Sequence, residues 1–432
     1  MSHALSAAGR VGVSSRARTQ FRAPARVSAR TMRPRASSAA AGAETGGEDS
    51  NATRKPRVVI AGAGIIGSSI AYHLAVNHGY ASTLVDKVGP GAAASSKAAG
   101  FLALDWCDGG PLAPLARASF PTHERLAKEL DLESYRRVTC EAVAVDETLV
   151  SQQVTSDEKL ENVQWADVGA VASRRMGDES TVAQVHPKRL VEAFLRRASE
   201  LVGSDVVIGD ATEIVYRDAF VGKENARKTC VGLRVDGVMM PADVVIVAMG
   251  PWTNRLLPPD SIGGVEVLGQ KYHAVRIRPR RVLSQAVFFQ GLGDPEFYPR
   301  PDGDVYVCAY PDAPASVTEE PGQVEVRPEA VQRLEDVARK LSSEMRDPSL
   351  APVAIHETTK EKGQSCHLPV TRDGAPIMGK VPNTKNVYVA TGHSCWGILN
   401  APASGAAMAE LIAEGKVTVV PGFERFAPRR AT

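Results

Sequence analysis

The chain has 432 residues, 44% of them hydrophobic and 23% charged, with a net charge of +2. That length carries two domains with substantial cores, and the composition is ordinary for a globular protein. Residues 1–43 hold eight arginines and no acid, so the remainder carries −6, which speaks against a nucleic-acid-binding face. No run of about 18 uncharged apolar residues offers a membrane span, and the cysteines at 107, 140, 230, 308, 366 and 395 show no CxxC or metal-ligand spacing. Reduced thiols and no metal are expected.

The leader is rich in Arg, Ala and Ser and lacks a continuous apolar core, so it reads as an organelle transit peptide rather than a secretory signal. Plastid is the first expectation, with mitochondrion or cytoplasm as alternatives; a disordered basic tail is the other reading. A Gly/Ser/Asp linker leads to about Lys55.

The segment VVIAGAGIIGSSIAYHLAVNHGYASTLVDK follows, from Val58 to Lys87. Val58–Ala61 suit a strand buried on both faces. Gly62, Gly64 and Gly67 form GxGxxG, with Ala63, Ile65 and Ile66 between them. The first glycine allows the turn, the second lets a pyrophosphate reach the backbone, and the third lets helix pack on strand. A long amphipathic helix is expected next, its N-terminus facing the phosphates. Asp86 ends the second strand and suits ribose hydroxyls. Lys87 is open between meeting the adenosine and staying solvated. The unit asks for a dinucleotide; taken alone it leaves NAD and FAD open.

A small-residue loop, 89–106, precedes a helix whose apolar residues recur from Leu115 to Leu130. RVTCEAVAVDE alternates as a strand, and 151–185 is a polar meander. HPKRLVEAFLRRASELVG is a helix with Pro187 near its start and Gly203 just past its end. SDVVIGDATEIVYRD gives strands, and KTCVGLRVDGVMMPADVVIVAMG adds a hairpin at its DG. KYHAVRIRPR, SQAVFFQ and EFYPRPDGDVYVCAY suggest an antiparallel sheet. A helix lies within QVEVRPEAVQRLEDVARKLS. NVYVATG is a last buried strand before a helix that Gly415 stops.

Four stretches, VVIAGAGIIGSSIAYHLA, GAAASSKAAGFL, ADVVIVAMGPWTNRL and NVYVATGHSCWGILNAPASGAAMAELI, resemble the D-amino-acid-oxidase-type FAD-dependent oxidoreductases, glycine and sarcosine oxidases among them. The resemblance spans roughly residues 56–416 and implies FAD as the cofactor. It implies an α/β fold in which a Rossmann-like FAD-binding domain (56–110, 181–258, 365–420) is interleaved with an antiparallel β-sheet substrate domain (111–180, 259–364), after a leader at 1–55 and before a tail at 421–432. Ser95, Ser96 and Lys97 match the family's pyrophosphate and ribityl contacts. Gly100 and Phe101 would bring backbone against the flavin ring. Thr212 matches the position whose backbone meets adenine, and Ala248 and Gly250 a strand end beneath the cofactor. Gly392, His393, Gly397 and Ile398 would set a helix N-terminus beside the flavin, where its dipole favours negative charge on the reduced ring.

For the substrate, Arg300 matches a glycine-oxidase-like position and would grip a carboxylate, Tyr298 is open between lining the same pocket and packing beneath it, and His393 would wall it. The expected partners are a small carboxylate or amine substrate and oxygen or another electron acceptor. Oxidation of an amino acid or amine by hydride transfer to flavin N5 is favoured. A 2-hydroxy-acid oxidation, with His393 or His273 as base, and a non-catalytic FAD-binding regulatory or trafficking protein remain the alternatives.

Overall fold

The structure is a computed structural model that describes residues 54–155, 160–217, 227–347 and 363–428, with the short strand Arg30–Thr31. The expected transit peptide otherwise lies outside the described residues. Six helices are present among them: α1 (Ile65–His78), α2 (Ala113–Glu129), α3 (Glu147–Ser151), α4 (Pro187–Val202), α5 (Pro328–Leu341) and α6 (Gly397–Glu414).

A seven-stranded sheet runs in the order Arg30–Thr31, Asp205–Ile208, Ser82–Asp86, Val58–Ala61, Val244–Val247, Val387–Thr391 and Ile377–Lys380. Every pair is parallel except the last. Its central strands, Val58–Ala61 and Val244–Val247, read as unbroken apolar runs because both faces are covered. Val58, Ile60 and Leu84 pack into the core shared with α1 and α6, whereas Val59, Ala61, Val85, Val245 and Val247 pack into the opposite one. The second face is closed by a three-stranded sheet, Ala211–Arg217, Thr229–Val235 and Val238–Pro241. The last two strands form the expected hairpin, with Asp236 and Gly237 both at positive φ (48° and 77°), as a tight two-residue turn requires.

The amphipathic expectation for α1 does not hold: Ile65 to Ala75 are all buried. The sequence alternates small and apolar residues because this helix lies between the sheet, α4 and α6. Close approach to α6 needs small residues. A Cβ on Gly405 would fall 2.2 Å from Ser69 Oγ, and that hydroxyl donates to Ala401 O at 2.7 Å.

The second seven-stranded sheet has the order Gly363–Val370, Leu268–Ile277, Val305–Ala309, Glu296–Pro299, Gln285–Gln290, Thr139–Val145 and Ala170–Gly177. It is antiparallel as expected, apart from the parallel pairing of Gln285–Gln290 with Thr139–Val145. Those two strands come from different passages of the chain, so no hairpin forces them antiparallel. Alternation divides the faces. Val275, Val287, Phe297 and Val307 pack with α5 and Trp165 in one core. Ala274, Tyr298, Tyr306 and Cys308 turn the other way, with Tyr272 and Phe288 packed beside them, towards the first sheet's domain.

Candidate functional site

A cavity with about 1190 Å³ of empty space runs along the C-terminal ends of the parallel strands and reaches the second sheet. Gly62, Gly64, Ile65 and Ile66 line one end, with Asp86 and Lys87. Ser95, Ala248, Gly250, His393, Gly397 and Ile398 continue the wall. Twelve of the residues expected from sequence to hold a cofactor therefore share one surface.

The three glycines of the turn do different work. Gly62 has φ +105°, and a Cβ there would lie 2.3 Å from Ala248 O. A Cβ on Gly67 would lie 2.1 Å from Gly62 O, so this glycine lets helix meet strand and does not line the cavity. Gly64 is extended (φ −71°, ψ −178°), and its missing side chain would meet only Ser95 Oγ, at 3.1 Å. The protein itself hardly needs glycine there; the open cradle above it fits a pyrophosphate. Ser96 Oγ, buried and without a partner, sits beside Gly91 of the same wall.

Asp86 accepts three backbone N–H bonds, from Ala63 at 3.0 Å, Val88 at 3.0 Å and Gly89 at 2.9 Å. It therefore shapes the turn as well as facing the cavity. Ala63 serves through that bond rather than by lining. Ser95 Oγ accepts from Ile65 N–H at 2.9 Å and so caps the start of α1. Lys87 is neither free nor buried: its amine bonds Asp210 at 2.7 Å and Glu320 at 2.8 Å. Arg255 grips the same Glu320 carboxylate with both terminal nitrogens at 2.8 Å, so the segment carrying Glu320 straps across the cavity's rim. Trp252 reinforces it by donating to Glu319 O at 2.8 Å.

Other expected residues stand elsewhere. Lys97 donates to Ser365 O at 2.9 Å and does not line the cavity. Gly100 is glycine because a Cβ would strike Val185 O at 2.0 Å, a protein contact rather than a ring contact. Thr212 is exposed on its strand and turns away; Ala211, one position earlier, lines the wall, since neighbours on a strand face opposite sides. Gly392 has φ +82° and yields space to Thr371 rather than to the cavity.

α6 starts at the cavity and contains Pro402, which leaves groups in its first turns without helical partners. α2 supplies them. His123 Nε2 lies 3.1 Å from Ile398 O and 3.0 Å from Leu399 O, and Ser119 Oγ accepts from Ala403 N–H at 3.0 Å. Burial lowers the His123 pKa to about 4. The cavity end of this helix is thus fixed by two polar side chains that the sequence reading missed.

His393 is buried, with Nε2 3.0 Å from Ser404 Oγ and Nδ1 without a partner. Burial lowers its pKa to about 3, so it is neutral and a weak base. His273 packs on the α5 side of the second sheet, where its Nε2 accepts from Arg327 N–H at 3.1 Å. It does not face the cavity.

The cavity-side face of the second sheet is aromatic. Phe101 lies 5.1 Å from Trp106, 5.7 Å from Phe288 and 5.4 Å from Tyr298, ring to ring. Trp106 lies 6.3 Å from Trp396 of the late segment. Phe101 thus belongs to this cage rather than to the cavity wall. Tyr298 is buried and donates to Glu296 Oε2 at 2.6 Å. Arg300 shares the face but is 3% exposed; it donates to Ala98 O at 2.8 Å and lies 5.4 Å over the Tyr306 ring. As placed it fastens the loop beside the cofactor cavity instead of reaching into open space. Glu296, absent from the sequence expectations, was legible in EFYPR: it alternates with Tyr298 and Arg300 and must share their face.

Comparison with known proteins completes the description. The family model for DAO, FAD dependent oxidoreductase, matches residues 57–411. A provisionally named oxidoreductase of Schizosaccharomyces pombe is 31% identical over 387 residues, 84% of this chain and 95% of that one. Glycine oxidase of Bacillus licheniformis is 27% identical over 380 residues, 82% of this chain and 92% of that one. Among solved structures, glycine oxidase from Geobacillus kaustophilus superposes with a TM-score of 0.66 at 23% identity, covering 88% of this chain and all of that one.

Proposed function

The chain belongs to the DAO family of FAD-dependent oxidoreductases, an enzyme with FAD as its cofactor, and from that premise we propose that its substrate is an amine or amino acid oxidised at the carbon that bears nitrogen. The glycine cradle, Asp86, Ser95 and the start of α6 are the residues that would hold FAD. When bound, FAD supplies a two-electron acceptor.

The observation that carries the proposal is the state of the histidines. Removing hydride from an alcohol needs a base for the hydroxyl proton, whereas a neutral amine brings its own lone pair. His393, with its pKa lowered to about 3, is poorly matched to that task, and His273 lies on the far side of the sheet. The aromatic cluster of Phe101, Trp106, Phe288 and Trp396 beside the cavity supports a substrate with apolar substituents. The glycine oxidases among the relatives act, by name, on an amine of the same reaction class.

The test is anaerobic bleaching of the purified full-length holoenzyme. Amines or amino acids are expected to bleach the flavin absorbance while 2-hydroxy acids leave it unchanged. Bleaching by 2-hydroxy acids alone would reverse the assignment, and no bleaching by either class would favour a non-catalytic role.

A further inference from the structure

The cavity end beside the start of α6 is backed by a second layer of side chains. Cys395 and Gly397 line the cavity, but Trp396 between them does not; its ring meets Trp106 edge-on at 6.3 Å and 81°. Ala98 also lines the cavity, and three positions later Phe101 meets Trp106 at 5.1 Å. Phe288 of the second sheet meets it at 5.1 Å as well. Leu368 and Pro369 of that sheet line the cavity opposite the late segment. The rings therefore pack on one another behind the wall, and Trp106 spans the seam between the second sheet and the late segment.

Trp106 is the member of this layer best placed to leave it. Phe101 and Phe288 stand on paired strands, and Trp396 leads straight into α6. Trp106 stands in the turn between Phe101–Ala103 and α2, flanked by exposed Asp105, Asp108, Gly109 and Gly110. Its ring is only partly buried, and among the described residues it makes one hydrogen bond, from Nε1 to Met176 O at 3.4 Å. The turn's own bonds close on themselves, Asp108 N–H to Asp105 O at 3.0 Å and Gly110 N–H to Cys107 O at 3.1 Å. Asp108 pairs with Arg117 of α2, and the neighbouring Cys107 is buried, so the turn is pinned and the indole is its moving part. Non-directional ring contacts hold the indole in place, and a guest with an apolar group can replace them.

We propose that Trp106 is the door between solvent and the end of the cavity where the FAD ring would lie, and that the space its indole vacates sets how bulky a substrate the enzyme accepts. The incoming substituent displaces the indole and packs against Phe101, Phe288 and Trp396 in its stead. Arg300, Tyr298 and Tyr306 are buried in the sheet beside this seam, so the sheet itself offers no way in. The proposal rests on FAD filling the cavity; it rests on the amine reading only for the substrates that measure size.

The experiment uses full-length holoenzyme and the variants Trp106→Ala and Trp106→Phe. Flavin content and unfolding temperature establish that each is intact, and Trp106→Leu replaces the alanine variant if that one loses flavin. The first readout needs no substrate: sulfite adds reversibly to oxidised flavin and bleaches it. Its association and dissociation rates should both rise about tenfold or more in Trp106→Ala, with Trp106→Phe between, while the binding equilibrium stays the same, because a gate alters rates in both directions. Equal rates in all the proteins, a shifted equilibrium with unchanged association, or no bleaching in any would overturn the door. The second readout is anaerobic flavin reduction by N-methylpropylamine and the bulkier N-methylbenzylamine. The rate for the bulkier amine relative to the smaller should rise about tenfold in Trp106→Ala, the low end of the roughly 10–200-fold that a methylene commands in a pocket. An unchanged ratio overturns the role in size selection. If no amine reduces the flavin, the amine reading falls, sulfite still judges the door, and lactate against mandelate makes the size comparison.

Discussion

Gly62 and Gly64 stand two positions apart in one turn, and two substitutions separate what each does. In Gly62→Ala the new methyl carbon would lie 2.3 Å from Ala248 O and 2.7 Å from Ala248 C, with φ at +105°. Ala248 cannot recede freely, because its N–H donates to Ala61 O at 2.8 Å. Backbone strain costs roughly 1–2 kcal/mol and overpacking against main chain roughly 1–3 kcal/mol. Together roughly 2–5 kcal/mol is a large part of the order of 5–15 kcal/mol that holds a domain folded, and it falls on the protein with or without cofactor. In Gly64→Val the backbone is already extended, and the nearest atom to the added Cβ is Ser95 Oγ at 3.1 Å. Moving that hydroxyl forfeits at most the bond from Ile65 N–H, about 1 kcal/mol. The valine methyls instead fill the cradle. Urea unfolding of flavin-stripped protein should therefore show a large loss for Gly62→Ala and a small one for Gly64→Val. The flavin-to-protein absorbance ratio of the purified proteins should fall close to zero in Gly64→Val. Wild-type flavin content in Gly64→Val, or stripped-protein stability as low as that of Gly62→Ala, would refute the assignment of roles.

Asp86→Asn should lower stripped-protein stability by about 1–3 kcal/mol, read as a urea midpoint, because an amide cannot accept all three backbone N–H groups that meet the carboxylate. Arg300→Met should raise the rate of FAD loss in a dilution assay, since the Ala98 carbonyl it holds lines the cofactor cavity; unchanged FAD retention with weaker binding of carboxylate substrates would instead return Arg300 to a carboxylate-gripping role. Glu320→Gln releases Lys87 and Arg255 together, yet these are exposed pairs that solvent screens. FAD release should quicken only a few-fold, and the difference should shrink in high salt. Burial works to raise the Glu319 pKa, but bonds from Glu325 N–H, His367 and Lys271 outweigh it and lower the value from 4.5 to about 2. Its stabilisation is complete above the unfolded value and is lost as pH falls from about 4.5 towards 2. Glu319→Gln should accordingly flatten the acid limb of a stability-versus-pH curve, and an identical acid limb would contradict the linkage.

The elements that sequence revealed most fully are those whose signal is local. Gly203 and Gly415 end their helices in left-handed geometry, with φ of 74° and 75°, and the DG turn closes its hairpin. Long-range contacts were not legible. Gly100 carries no side chain because of Val185, and Gly392 because of Thr371, neighbours that only the fold supplies. The α1 helix reads as amphipathic until α6, more than 300 positions later, covers its remaining side. His123 and Ser119 gain their role from Pro402 in the same way. Arg300 was assigned by matching a motif, which fixes the face of the strand but not how far the side chain reaches. Glu296 lay within that same strand, and strict alternation was enough to place it there.

The central parallel sheet is assembled out of chain order, and this governs how the protein can be made. Val58–Ala61 pairs with Val244–Val247, and Val244–Val247 in turn with Val387–Thr391. The cradle and its far wall, from Ala390 to Ile398, lie more than 300 positions apart in the chain, so the wall leaves the ribosome well after the cradle does. At roughly 5–20 residues per second the early strands wait tens of seconds for their neighbours. During that interval apolar strands lack their final cover, so the nascent chain is exposed to mispairing. Flavin loading is a late event for the same reason. A stop codon or frameshift before Ala390 yields a chain with every glycine of the phosphate turn and no closed cavity.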